Sequence, residues 1–367
     1  MKVLYIVNIP SPYRVAFFNE LSQYCGLTVL YERKNAVGRQ WTYNDSIYYK
    51  EIYLKGIELG EDSSLCLSSI NFLRKNKKEY DIIVVGGYGT YTGMIIIDYL
   101  RLNKIPFILN CDGGMENHAN IVKRFIKRHY ISSASSYLSP AKVTDDFLIK
   151  YGAKKENIYR YPFTSVYKSE VLQSPIGIEE KRNIRQELEM KSKFIIVSVG
   201  RIMHLKGFDV LIKACYDISD LVEVYIVGGS LNYELEKIIL ETGANNIHFI
   251  NFQKHDKLLK YYKAADAFVF STRGDVWGLV VNEAMSNGLP VISSNKAVAG
   301  LELVKENGYI YEVEEINQLK DCILSLIRDQ NKTKMMAQKS LEIIREYTIE
   351  NMAKIHMKIF EKILSRR

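Results

Sequence analysis

Short apolar runs alternate along this chain with longer segments whose apolar positions recur every third or fourth residue. The runs have the composition of strands buried on both faces, and the longer segments have the period of helices packed on one side. Residues 3–9 predict a first strand. Ile9-Pro10-Ser11-Pro12-Tyr13-Arg14 reads as a stiff turn, and Val15, Phe17, Phe18 and Leu21 supply the apolar face of the helix after it. Strands are predicted at 27–31, 81–85, 106–109 and 137–138, and helices at 63–77, 91–102, 120–132 and 144–150. Residues 33–55, with Trp41 and several tyrosines, predict a long loop or short hairpin. A second series runs through strands at 194–199, 222–227, 247–250, 267–270 and 291–292, then helices at 320–345 and 349–364.

Repeated strand–helix units imply parallel sheets covered by helices, so the fold class is α/β with two Rossmann-like domains facing a central cleft. A length of 367 residues also exceeds one typical hydrophobic core. The expected division is 1–168, a linker at 169–190 that lacks a clear strand pattern, a second domain at 191–346, and a C-terminal helix at 347–367 that could cross back to the first domain.

Composition narrows the function only a little. Hydrophobic content of 47% and charged content of 25% are those of a soluble globular protein, and the bias to Tyr, Ile, Lys and Asn carries no functional reading. A formal charge of +8 suits a phosphate-bearing partner: a nucleotide, an anionic membrane or nucleic acid. Nucleic acid is not supported, because the charge is modest and no recognised motif appears. The five cysteines are odd in number and form no C-x-x-C, which suggests neither a disulfide framework nor a zinc site and fits a reducing cytosol. The N-terminus does not read as a signal peptide, and no run reaches the roughly 18 apolar residues that span a bilayer. The expected place is the cytoplasm, with any membrane role peripheral.

Ligands of such sheets bind beyond the carboxyl ends of the strands. The first strand–helix turn lacks G-x-G-x-x-G, so dinucleotide binding is not supported. Arg14 faces the crevice above the strand ends or is a surface arginine; both readings stay open. Gly86-Gly87-Tyr88-Gly89 would admit a ligand to the backbone or simply make a tight turn. Asp112 follows the strand at 106–109, where a carboxylate could orient or deprotonate an acceptor hydroxyl; the alternative is an Asx-type turn with Gly113 and Gly114.

Residues 271–290, STRGDVWGLVVNEAMSNGLP, carry the densest chemistry. A buried strand, a glycine turn and a helix start there make an anion site. Asp275 and Glu283 bracket it with seven residues between them, although a strand–helix unit with solvent-facing acids would look similar. On the same sheet, Gly200-Arg201-Ile202-Met203-His204-Leu205-Lys206-Gly207 places two cations at a strand end and helix start, which suggests a diphosphate clamp. His204 has no partner visible in sequence and reads as a loop residue.

These two stretches together resemble the retaining glycosyltransferases of family 4, which have the GT-B fold, and the order of elements matches over nearly the whole chain. Ile9 to Arg14, Asp112-Gly113-Gly114 and Tyr151-Gly152-Ala153 resemble members that build bacterial capsule, exopolysaccharide or O-antigen units. The family's carboxylate pair is usually two glutamates; here the first is Asp275, shorter by about one carbon–carbon bond. The resemblance implies a hexosyl- or N-acetylhexosaminyltransferase using a nucleotide-diphosphate sugar, UDP favoured, with a glycan or polyprenyl-diphosphate-linked acceptor and no cofactor or metal. It implies that Gly200, Arg201, Lys206, Asp275, Gly278, Leu279, Val280 and Glu283 bind the donor: Glu283 its ribose, Arg201 and Lys206 its diphosphate, and the amides near Gly278, Leu279 and Val280 the phosphates. Arg14, Asp112 and Gly113 are acceptor-side candidates, and domain closure is expected. A non-catalytic glycosyltransferase-like partner and a GT-B-like nucleotide-sugar epimerase are the alternatives.

Residues 120–132, NIVKRFIKRHYIS, predict a basic amphipathic helix. Ile121, Val122, Phe125 and Ile126 are expected to pack inward on the sheet. Lys123, Arg124, Lys127 and Arg128 are left to meet an anionic membrane at the inner face, or simply water.

Overall fold

The computed structural model describes residues 1–35, 47–59, 63–116, 120–191 and 193–366; Trp41 lies outside them. The chain forms two compact units, one from Met1–Ser165 with Thr348–Arg367, the other from Val166–Tyr347.

The first unit runs β1 (Lys2–Val7), α1 (Pro12–Leu21), β2 (Gly26–Tyr31), β3 (Lys50–Tyr53), a small antiparallel pair β4 (Ile57–Leu59) and β5 (Ser63–Leu65), α2 (Ser68–Asn76), β6 (Ile82–Val85), α3 (Tyr91–Leu102), β7 (Ile108–Asn110), α4 (Ile121–Ile131), β8 (Ser136–Ser139), α5 (Lys142–Lys150) and β9 (Ile158–Arg160). Its main sheet is parallel, in the order β3-β2-β1-β6-β7-β8-β9. Leu4, Ile6, Ile83 and Val85 of the central strands share a buried core with Ile96, Ile97 and Leu100 of α3. The helix expected at 63–77 starts later, because 63–65 is spent on β5.

The second unit runs α6 (Ile178–Glu187), β10 (Phe194–Val199), α7 (Phe208–Cys215), β11 (Val222–Val227), α8 (Tyr233–Thr242), β12 (Ile247–Ile250), α9 (His255–Ala264), β13 (Ala267–Phe270), α10 (Leu279–Ser286), β14 (Val291–Ser294), α11 (Val298–Leu303), β15 (Gly308–Tyr311), α12 (Ile316–Arg328) and α13 (Gln330–Ile344). Its sheet is also parallel, in the order β12-β11-β10-β13-β14-β15. Val224 and Val269 on the strands share its core with Leu211, Ile212, Leu319 and Ile323 on α7 and α12.

Three further segments differ from the sequence expectation. Residues 169–190 are no free linker. Helix α6 is tied to this unit by Lys181 Nζ and Arg185 Nη2, 3.0 and 2.7 Å from the Asp266 carboxylate, and Leu172 N–H donates to the Ser286 carbonyl. The single helix expected at 320–345 is two, because the Asp329 side chain accepts from Lys332 N–H and starts α13 afresh. The third segment is α4, described with the site below. The last helix, α14 (Ile349–Leu364), begins at Thr348, whose hydroxyl caps it by accepting from Asn351 N–H. It belongs to the first unit, where His356 packs on Phe17 of α1 at 4.6 Å between ring centres.

In both sheets the strand order reverses beside the first strand of the unit, between β1 and β6 and between β10 and β13. At such a point the connecting helices leave on opposite faces and open a crevice at the carboxyl ends.

Candidate active site

In the second unit the crevice is built from the segments after β10 and β13. Residues 203–207 are laced to residues 271–273. Ser271 and Thr272 hydroxyls donate to the Lys206 and Leu205 carbonyls at 3.0 Å each, and Arg273 N–H donates to the Leu205 carbonyl at 2.8 Å. The Arg273 guanidinium then grips Asp209 of α7 through both nitrogens at 2.7 and 2.8 Å. Hydrogen bonding to Arg273 holds the Asp209 carboxyl below its usual range, against the opposing effect of burial. Gly207 is required here: its φ is +65° and a Cβ would sit 2.0 Å from the Ser271 carbonyl oxygen.

This lacing aims Lys206 across the crevice. Its Nζ lies 2.5 Å from Asp275 Oδ2 and 5.4 Å from the centre of the Phe270 ring. Arg201, beside it after Gly200, is exposed and has no ion pair or hydrogen bond among the described residues. Gly278, at φ +102° with a Cβ position 2.6 Å from the Phe270 ring, lets the chain turn into α10. The amides of Gly278, Leu279 and Val280 meet no acceptor among the described residues, as expected of a helix start. Glu283 follows one turn later and accepts from the Tyr262 hydroxyl at 3.1 Å. Burial, and then the charge of Glu283, keep that phenol far above its usual range, so Tyr262 stays a proton donor. Trp277 is buried and donates to Asn282 Oδ1 at 2.8 Å, fixing the turn from beneath.

The structure thus brings together Gly200, Arg201, Lys206, Asp275, Gly278, Leu279, Val280 and Glu283 at one crevice. Tyr262, Phe270, Trp277 and Arg273 support it; Tyr262 and Arg273 act through partners 21 and 64 positions away, so no local pattern marks those two. His204 is exposed, 3.2 Å from Glu234.

The crevice of the first unit is occupied by its own side chains. Arg14 Nη2 lies 2.5 Å from Asp112 Oδ2, which also accepts from the Tyr13 hydroxyl at 3.3 Å. Asp112 Oδ1 accepts from Asn110 Nδ2 at 2.7 Å and from the Tyr161 hydroxyl at 3.4 Å. All of the roughly four lone-pair sites of this carboxylate are in use. Asp112 is therefore an anchor for Arg14 rather than the free acceptor of a hydroxyl proton expected from its strand-end position. Burial works to discharge Arg14, but Asp112 and Tyr13 more than offset it and raise its affinity for the proton. Gly113 lies in the turn that follows. Tyr161 and Phe17 both pack on His356, at 4.7 and 4.6 Å between ring centres, and burial lowers that imidazole to about 4.

Among the described residues no cluster of three His, Cys, Asp or Glu side chains could hold a metal, and no helix is long and apolar enough to cross a membrane. Helix α4 reverses the expected sidedness. Ile121, Val122, Phe125 and Ile126 are all exposed, while Ile131 is buried and Lys127 lies over the Phe147 and Tyr151 rings at 5.1 and 5.2 Å.

Residues 179–342, which hold the whole crevice of the second unit, match the family described as "Glycosyl transferases group 1". The second unit is a group 1 glycosyltransferase domain. The chain is similar to the alpha-galactosylglucosyldiacylglycerol synthase of Streptococcus pneumoniae, at 23% identity over 71% of this chain and 67% of that protein. Across the first curated relatives it matches, the chain spans 47% to 67% of their length. The sucrose-phosphate synthase of Thermosynechococcus elongatus superposes with a TM-score of 0.79 at 16% identity, covering 100% of both chains. The HepE protein of Anabaena, solved with UDP and glucose, superposes at 0.75 and 18% identity, also covering 100% of both chains. The two-sheet fold is thus the GT-B fold of these glycosyltransferase structures.

Proposed function

We propose that this protein is a retaining, metal-independent hexosyl- or N-acetylhexosaminyltransferase. It would move sugar from a UDP-sugar to a glycan or polyprenyl-diphosphate-linked acceptor in bacterial surface polysaccharide synthesis. One observation carries the reading: an exposed arginine, a lysine and a helix start whose amides meet no acceptor among the described residues converge at the crevice of the second unit. That arrangement suits a diphosphate, and the UDP held by HepE supports the choice of nucleotide.

In this reading the bond from the anomeric carbon to the phosphate oxygen breaks, and the nucleoside diphosphate leaves with the electron pair. Arg201, Lys206 and the start of α10 stabilise its growing negative charge. The acceptor oxygen bonds to the same face of that carbon, and its proton passes to the departing phosphate oxygen. Glu283, steadied by Tyr262, takes the ribose hydroxyls. Asp275 shares Lys206 until the diphosphate arrives and then faces the donor sugar. Arg14 and Gly113 remain on the acceptor side, with Asp112 holding Arg14.

The test is release of UDP from a panel of UDP- and GDP-sugars, with and without glycan and lipid-linked acceptors. Glu283→Ala should keep the fold and lose about 100-fold in transfer. Full activity in Glu283→Ala would overturn the assignment, and conversion of donor alone to an epimer would replace transfer with epimerisation.

A further inference from the structure

Helix α4 presents an unusual surface. Ile121, Val122, Phe125 and Ile126 are 82%, 66%, 76% and 41% exposed and form one stripe, at spacings that fall on a single helix face. The helix is not loose: Asn120 caps it by accepting from Lys123 N–H, His129 bonds Asp98 of α3 at 2.7 Å, and Tyr130 stacks on Tyr88. The stripe therefore faces outward while the inner face is firmly seated.

Charge sharpens this. The sequence of α4, IVKRFIKRHYI, contains no acid. Lys123, Arg124, Lys127 and Arg128 make no ion pair among the described residues, although many surface lysines and arginines elsewhere do, such as Lys260 with Glu187 and Lys320 with Asp217. The exposed apolar stripe is unfavourable in water, and with the hydrated cations beside it the helix is complementary to one kind of surface. Acyl chains take the stripe, and anionic headgroups take the cations. A protein groove would need matching acids at fixed positions, whereas a lipid leaflet supplies them wherever the cations fall.

We propose that α4 lies in the surface of an anionic bilayer, with Ile121, Val122, Phe125 and Ile126 inserted among the acyl chains and Lys123, Arg124 and Arg128 on the headgroups. The lipid-linked acceptor proposed above gives this contact its purpose, and to that extent it rests on that reading; the binding itself is measured without any sugar. Flotation of the full-length protein with phosphatidylcholine vesicles, with and without phosphatidylglycerol, tests it. Binding is expected only with phosphatidylglycerol and should weaken with salt. Ile121→Ser with Phe125→Ser should lower it at least about tenfold. Lys123→Gln and Arg128→Gln should each lower it about fivefold. Thermal stabilisation by UDP should stay intact in all of them, which separates failure here from failure of the donor site. Two results overturn the proposal: vesicle binding that ignores phosphatidylglycerol and the serine substitutions, or a lipid-indifferent dimer that Phe125→Ser dissociates, which would make the stripe an interface between copies.

Discussion

At the crevice of the first unit, Arg14 meets Asp112 at 2.5 Å, and two tyrosines and an asparagine complete the carboxylate's bonding. At the matching crevice of the second unit, Arg201 stands exposed, Lys206 pairs with Asp275, and the amides at the start of α10 meet no acceptor among the described residues. The two sheets reverse strand order in the same way, so topology alone provides two comparable crevices. The sequence of each loop decides what the crevice does. The first uses its charges to fix itself in place; the second leaves positive charge unspent, as a site for a diphosphate must.

The largest break in this comparison should come from Lys206→Ala. It removes a charge from the open crevice and should cost about 1,000-fold in kcat/KM for transfer, with β1 and β7 of the first unit undisturbed. Asp112→Ala should do the reverse. It strands a mostly buried guanidinium and should cost roughly 3 kcal/mol in the first unit. Hydrogen exchange would read this as lost protection in β1 and β7 with α10 unchanged.

Acidification should separate the units more gently. His356 titrates at about 4 in the folded chain, below its ordinary value, so between roughly pH 6.5 and 4 only the unfolded chain takes up the proton. Stability of the first unit should therefore fall as pH falls through that interval, by on the order of 1 kcal/mol per pH unit. His356→Leu should flatten the slope, as measured by exchange in α14. The smallest effect is expected from Asp275→Asn, which frees Lys206 from a competing partner. UDP affinity should rise by up to about fivefold while transfer falls, a split that calorimetry and kinetics together can read.

Much of this contrast is absent from the sequence. The central strands and α14 are legible because continuous apolar runs and a capped amphipathic period are local signals. In the two parallel sheets the strands without a clear sequence signal, β3, β9 and β15, all lie at edges; KEIY and IYR bury little, and GYIY buries Tyr311 without a continuous apolar run. Helix α6, IEEKRNIRQE, buries none of its residues and is held by ion pairs instead, so no apolar stripe announces it. Periodicity finds α4 but not which face looks inward. The crevice of the second unit is legible because its cations, acids and glycines cluster in two short stretches. The Arg14–Asp112 lock is not, because its partners are 98 positions apart.

The two crevices should differ most sharply in what they accept: a nucleoside diphosphate at the second unit and none at the first. Hydrogen exchange of the full-length protein with and without UDP tests it directly. Protection should appear at residues 200–207 and 276–283, should vanish in Lys206→Ala, and should leave residues 8–14 and 110–114 unchanged. Protection centred on Arg14 and Asp112, or none at either crevice at saturating UDP, would contradict it.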